Sequence, residues 1–483
     1  MTGALRIFTE EWRYWSRSRL AVSAMALLLI VILAAVVSTV TRMQSAAEAR
    51  RTMQDAAEQA FLSQPDRHPH RMVHYGHYVF RTPAPLAVID PGVDPLTGTV
   101  MFLEGHRQNS ATFPAAYTAP QVAGFDYLTP AFAYQVLAPL VLLVVGFSVF
   151  ARERELHTDV QLMGQGVRAA ALWWGKSLAL LALSALLVLP LAVGALLAVA
   201  QGESLATAAV LVLGYYAYLA FWSFAIAGIS ARSRTTAMSL LVCCVAWVVV
   251  TVLVPRIASD TAATLSPVTG KIASDFALIE AMREVGDGHN AADPAFEGLR
   301  ARVLDQYGVD AVEDLPVNMR GIVAEAAEAE LTEVLVEFAE ERMHEETEQA
   351  RVARAGALFS PMLALRNVSM QTAGSDLANY HRFLREAETA RFTFVQGLNR
   401  AHVTELSYVD DINRNNGDEA NQRARISADN WRVLQSFDFR PAPAAERIRA
   451  AGSGILLLVL WACIAAAFAY RGVSNTEGRF HAT

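Results

Sequence analysis

The chain has 483 residues, of which 53% are hydrophobic and 18% charged, with a formal net charge of −7. That composition points away from an ordinary soluble protein, and the acidic balance argues against a nucleic-acid partner, whose phosphates recruit lysine and arginine. Cys243, Cys244 and Cys463 all fall in strongly apolar stretches, so the polar parts of the chain contain no disulfide framework.

In chain order, six stretches contain no Asp, Glu, Lys or Arg: residues 20–41, 130–151, 177–202, 204–231, 235–255 and 450–470. Each is long enough to cover about 30 Å of hydrocarbon as a helix. With flanking residues added, the chain divides into an interfacial helix (1–19), a first span (20–41), a first outer segment (42–129), a second span (130–151) and a coupling segment (152–171). A third span (172–202), a fourth (204–231) and a fifth (235–256) follow, then a second outer domain (257–449), a sixth span (450–471) and a tail (472–483).

The opening residues do not read as a cleaved signal peptide, because Glu10 and Glu11 interrupt the basic region and the apolar run is too long. Leu5, Phe8, Trp12 and Trp15 recur at three- and four-residue steps opposite Arg6, Glu10 and Arg13, as in a helix lying in the membrane surface. Arg6, Arg13, Arg17 and Arg19 precede the first span, Arg152, Arg154 and Arg168 follow the second, and Arg232 and Arg234 join the fourth to the fifth. The short connection 201–204 has only Glu203. The positive-inside rule then places both termini in the cytoplasm and both long segments outside.

No charge occupies the middle of a span, which argues against an ion-coupled carrier or a channel. Lys176 sits at the edge of the third span, from where its stem is expected to reach the interface. Tyr215, Tyr216, Tyr218 and Trp222 read as packing or interfacial residues, and Pro139 and Pro190 as kinks. Outside the membrane, Asp90-Pro91-Gly92 and Asp94-Pro95 mark turns, and five of the 11 histidines (His68, His70, His74, His77 and His106) crowd the first outer segment. Imidazoles that converge bind zinc or copper, but this spacing fits no compact metal signature, so these five remain weak metal candidates.

In the second outer domain, Ala324, Ala327, Leu331, Val334, Leu335 and Phe338 follow a helical rhythm, and a further helix is expected over 375–405. The acid run 337–348 reads as a solvated face. Asp410-Asp411 with Asn413, Asn415, Asn416 and Asp418 lacks the spacing of a calcium loop and reads as a polar turn. Gly452-Ser453-Gly454 is not a nucleophile elbow and suits close helix packing. No catalytic constellation stands out.

After the second span, Glu153, Arg154, Glu155, Thr158 and Asp159 begin a short charged segment with Val160, Leu162, Met163 and Val167 on its apolar side, leading to Gly175-Lys176. This stretch resembles the E-R-E-x-G-T and G-K elements of type-two ABC export permeases, with His157 in the place of the usual Gly. In the first outer segment, His70, His74, Gly76, Asp90, Pro91, Gly92, Glu104, His106 and Arg107 resemble the external loop of a subfamily with large extracytoplasmic domains, related to Nos-type and gliding-type permeases.

The resemblance implies ABC type-2 exporter architecture: an α-helical membrane protein with six transmembrane helices, a small mixed α/β first outer segment and a mainly α-helical second outer domain. It also implies the bacterial cytoplasmic (inner) membrane, a cytoplasmic ABC ATPase dimer engaging Glu153–Asp159, a second permease copy or paralogue, and a periplasmic partner for the outer domains. ATP and Mg would be held by the ATPase, and this chain would bind no cofactor. In agreement, Gly175-Lys176-Ser177 is not a phosphate loop, because Ala170 occupies the first glycine position. The competing readings are a non-transporting mechanotransducer or receptor and a copper-handling membrane protein.

Overall fold

The computed structural model describes residues 2–109, 111, 128–285, 293–433 and 437–480. Residues 112–127 of the first outer segment, 286–292 and 434–436 of the second domain, and the end of the tail lie outside the described residues. Among the described residues, six helices are long and apolar enough to cross a membrane, and the molecule is a multi-pass α-helical membrane protein.

Helix α1 (Thr2–Arg17) stops at Ser18, whose extended backbone turns the chain while its hydroxyl caps Ala21 N and starts α2 (Arg19–Leu62). The helix that begins at the first span does not end near residue 41. Helix α2 runs on for 44 residues, carrying the chain far beyond the apolar run until Phe61 is buried in the outer domain. The second span opens with a short helical turn, Pro130–Phe132, passes through a π turn, Ala133–Leu137, continues as α4 (Ala138–Gly146), and turns at 147–150. Pro139 therefore sits in the first turn after an interruption, where its missing N–H costs least. Pro190, by contrast, lies inside a continuous helix.

Between α2 and α4 the first outer segment supplies α3 (Pro69–Tyr75) and a three-stranded antiparallel sheet in the order β1 (His77–Phe80), β2 (Val100–Glu104), β3 (Arg107–Gln108). The register pairs His77 with Leu103 and Phe80 with Val100. Beyond α4 come two short helices, α5 (Ala151–Glu155) and α6 (Thr158–Gly164). The third and fourth spans are α7 (Ala169–Ala200) and α8 (Leu205–Arg232). The fifth is α9 (Thr236–Val248), a π turn and α10 (Val254–Leu265).

The second outer domain contains α11 (Lys271–Glu284), α12 (Glu297–Tyr307), α13 (Met319–Ala355), α14 (Pro361–Ala373), α15 (Leu377–Glu405), α16 (Tyr408–Ile412) and α17 (Asp418–Arg423). The last span is α18 (Ala444–Phe480), which takes the expected tail into the same helix. Helices α13 and α15 are antiparallel, tied by Arg400–Glu325 at 3.1 Å, Arg385–Glu340 at 2.5 Å and His381–Glu346 at 2.7 Å.

The two outer segments share their cores instead of folding apart. Phe61, Met72 and Val73 pack with Phe394, Val395, Leu398 and Trp431, while Val79, Met101 and Leu103 pack with Phe383, Leu384 and Ala387. A second departure is α14, expected outside the membrane. It packs in the core of the span bundle through Met362, Ala364, Leu365 and Val368, because Gly214 of α8 and Gly454 of α18 let its backbone approach closely. A Cβ at Gly454 would lie 2.7 Å from Val368 and 3.0 Å from Ala364 O.

Candidate functional site

Helix α1 lies against α7, but on a face shifted from the expected one. Trp15 is buried and Phe8 and Trp12 half-buried, whereas Leu5 is 67% exposed. The decisive residue is Glu11, which points inward. Its Oε1 accepts from Lys176 Nζ at 2.7 Å and from Arg152 Nη2 at 2.9 Å.

Lys176 does not reach for the interface. It is fully buried and donates to Glu11, to Glu153 Oε1 at 2.6 Å and to Val149 O. Gly175 and Lys176 lie well inside α7, and a Cβ at Gly175 would sit 2.7 Å from Ala4 O, so the glycine is what lets α1 dock. Buried charges are stable only when paired and hydrogen-bonded, and this ammonium between two carboxylates meets that condition. Arg152, the second cation of the node, stacks over the Tyr14 ring at 3.9 Å and so adds Tyr14 as a fifth residue.

The same short stretch is clamped to the fourth and fifth spans. Ser230 Oγ accepts from Phe150 N and Ala151 N, each at 3.0 Å, and donates to Phe147 O, so one hydroxyl holds the turn entering α5. Arg154 donates to Ser233 O at 3.2 Å, and Glu155 Oε2 accepts from Thr236 N and Oγ1 at the start of α9. Thr158 Oγ1 donates to Glu153 O, and Asp159 accepts from Val160 N. His157 stands at φ 57°, the left-handed region where glycine is most at ease. Leu156, 64% exposed, and Val160, 52% exposed, face outward beside the exposed Glu155, His157 and Gln161.

In the outer domain the residues of the external loop serve mainly as joints. Gly76 has φ 67° and a Cβ there would meet Phe102 and Leu103 O; Gly92, at φ 53°, lies against Ser375 O. Asp90 accepts from Gly92 N at 3.0 Å and from Ser369 Oγ of α14, whose hydroxyl also meets Tyr215 Oη at 2.8 Å. Gln135 bridges Tyr215 and, through its carbonyl, Tyr218. A buried polar network thus links turn 90–92, the second and fourth spans, and α14. Beside it, Arg447 pairs with Glu203 at 2.8 Å and donates to Thr372 O. Glu104 accepts from Asn109, Arg107 sits exposed in β3, and Pro91 lies in the turn.

Of the five crowded histidines, the fold brings three together: His70, His74 and His106. His77 is buried edge-on to Phe61, and burial pushes its imidazole down to about 4. His68 joins a different group around Asp411, which accepts from His68 at 2.9 Å, His402 at 2.7 Å, Arg414 at 2.7 Å and Asn318 at 3.2 Å. Burial works against the Asp411 charge, yet the hydrogen bonds from His402 and His68 outweigh it and hold the carboxyl far below the ordinary range. Asp411 is therefore a buried anchor between the two outer segments instead of part of a solvated turn.

Glu11, Ser230, Arg447 and Asp411 had no local signal in the sequence beyond their charge or hydroxyl, because each finds partners distant along the chain. A family model described as a domain of unknown function (DUF3526) matches residues 276–440, which takes in part of α11 and all of α12 to α17. No curated protein and no solved structure matches the chain.

Proposed function

We propose that this chain is the transmembrane permease subunit of an ATP-binding cassette exporter, driven by a separate cytoplasmic ATPase dimer and paired with a second permease copy or paralogue. Its place would be the bacterial cytoplasmic membrane, with both termini inside and the outer domain in the periplasm. The observation that carries this reading is the projection α5–α6, braced by the Glu11–Lys176–Glu153 node and capped onto α9 by Glu155, with Leu156 and Val160 left exposed. A braced projection that presents two apolar side chains among polar ones transmits a push from a soluble subunit into α1, α7 and α9 together.

Val160→Asp changes an exposed side chain and leaves every bond of the node intact. It is expected to abolish stimulation of ATP hydrolysis by the reconstituted complex while the chain inserts and melts as wild type. Wild-type stimulation in that variant would remove the projection from the mechanism.

A second reading, a non-transporting mechanotransducer, is favoured by α14, which joins the outer hairpin α13–α15 to α8 and α18 inside the span bundle. Cargo flux in sealed proteoliposomes separates the two: ATP-dependent movement of solute favours the exporter, and ATP-dependent change in the outer domain without flux favours the transducer.

A further inference from the structure

We propose that His70, His74 and His106 form a binding site for a divalent transition-metal ion of the zinc–copper class on the outer face of the protein. His70 and His74 stand four residues apart on α3, hence on one side of that helix, and their Nε2 atoms are 3.1 Å apart. His106 arrives from the β2–β3 turn, 32 residues later in the chain, placed there by the register that sets His77 opposite Leu103. Ring centroids lie 5.6 Å from His106 to His70 and 5.3 Å from His106 to His74, and the three ligand nitrogens all fall within 4.8 Å of one another. Tetrahedral coordination at a metal–nitrogen distance of about 2.0–2.1 Å asks for nitrogens about 3.4 Å apart. The pair on α3 lies close to that spacing, and an inward turn of His106 or the exposed His74 completes the set.

Two features distinguish this cluster from a chance grouping of polar side chains. His106 sits at φ 64°, a costly conformation for a residue with a Cβ, so the turn is held by its surroundings. Those surroundings are Glu328, buried on α13, whose Oε2 meets both His106 N and Nδ1 at 3.1 Å. With Nδ1 engaged by a carboxylate, Nε2 is the nitrogen that coordinates, in the carboxylate–histidine–metal arrangement that fixes the tautomer and raises ligand basicity. Glu328 is itself fixed by the buried Arg391, which also pairs with Glu388 at 2.8 Å.

The other histidine group does not compete, because the Asp411 oxygens are already taken by His68, His402, Arg414 and Asn318. Imidazole without thiolate suits Zn2+ and Cu2+ over the softer or harder ions. The site stands on these residues alone, whichever partner works the spans.

The test uses the full chain in detergent, stripped by chelation and titrated calorimetrically with Zn2+ and, separately, Cu2+, with bound metal counted after desalting. One ion per chain is expected, and X-ray absorption should report imidazole nitrogens at about 2.0–2.1 Å. His74→Ala alters an exposed side chain and is expected to lose stoichiometric metal while melting within a degree or two of wild type; His106→Asn keeps a residue that tolerates the left-handed backbone and is expected to lose the metal as well, at a lower Tm because the buried Glu328 loses a partner. Glu328→Gln should bind about 10- to 100-fold more weakly through loss of its support of His106. Wild-type chain that holds less than one ion, or a His74→Ala, His106→Asn double variant that still holds one, overturns the proposal.

Discussion

Lys176→Met isolates the Glu11–Lys176–Glu153 node better than any other change. The substitution keeps the stem of a fully buried side chain and removes an ammonium that lies 2.7 Å from Glu11 and 2.6 Å from Glu153. Breaking a buried ion cluster by deleting one partner costs about 3–5 kcal/mol, because a charge is left without compensation. Arg152 remains 2.9 Å from Glu11 but 3.9 Å from Glu153, so Glu153 bears most of the loss. The lower end of the range, about 3 kcal/mol, is therefore expected, or a fall of about 6 °C in Tm at about 2 °C per kcal/mol. The assay is thermal unfolding of the purified chain, completed as a double-mutant cycle with Glu153→Gln. If the node is one interacting unit, the double variant recovers at least half of the lost stability. A Lys176→Met chain that melts within 1 °C of wild type, or strictly additive costs in the cycle, would refute the node.

Two further outcomes follow from the packing and the titratable groups. Gly175→Val places a side chain where Ala4 O and Ile7 lie 2.7 Å away, so α1 should detach from α7 at a cost of about 1–3 kcal/mol, read as faster amide exchange over residues 2–17. Unchanged protection there would contradict the docking. For His77, burial lowers the folded-state value to about 4, below the unfolded value near 6.5, so the unfolded chain binds more protons and stability declines as pH falls through that window. The whole interval amounts to about 3 kcal/mol. Asp94, which burial pushes up to about 6 against the pull of Arg81, acts with the opposite sign. The measurement is therefore the difference between wild type and His77→Phe: the variant should lose the His77 share of the acid sensitivity between pH 6.5 and 4.5, and equal slopes would contradict it.

The spans were legible because a run of about 20 residues without charge has few alternative meanings, and α13 and α15 because their apolar stripes keep a helical period over many turns. At α2 the apolar run marks an expected span but not the end of the helix, since a helix can become polar without ceasing to be a helix. Helix α14 was hidden for a different reason. At 13 residues with Arg366 on its exposed side, it is too short and too polar to announce a place among spans, and only the glycines at 214 and 454 make room for it. Lys176 looked like an interfacial residue because its partner Glu11 is 165 positions away. The histidine group was half visible: the helical pair lay in the local spacing, but His106 joins it through strand register and Glu328 through the packing of α13, neither of which a single sequence displays.

The most direct measurement of the central claim is ATP hydrolysis by the purified chain, alone and then reconstituted in proteoliposomes with the soluble ATPase proposed to engage α5–α6. The account predicts no turnover by the chain alone and turnover that depends on the added subunit and is modulated by the chain. Hydrolysis by the chain in isolation, or a bound subunit whose activity is indifferent to Val160→Asp, would contradict it.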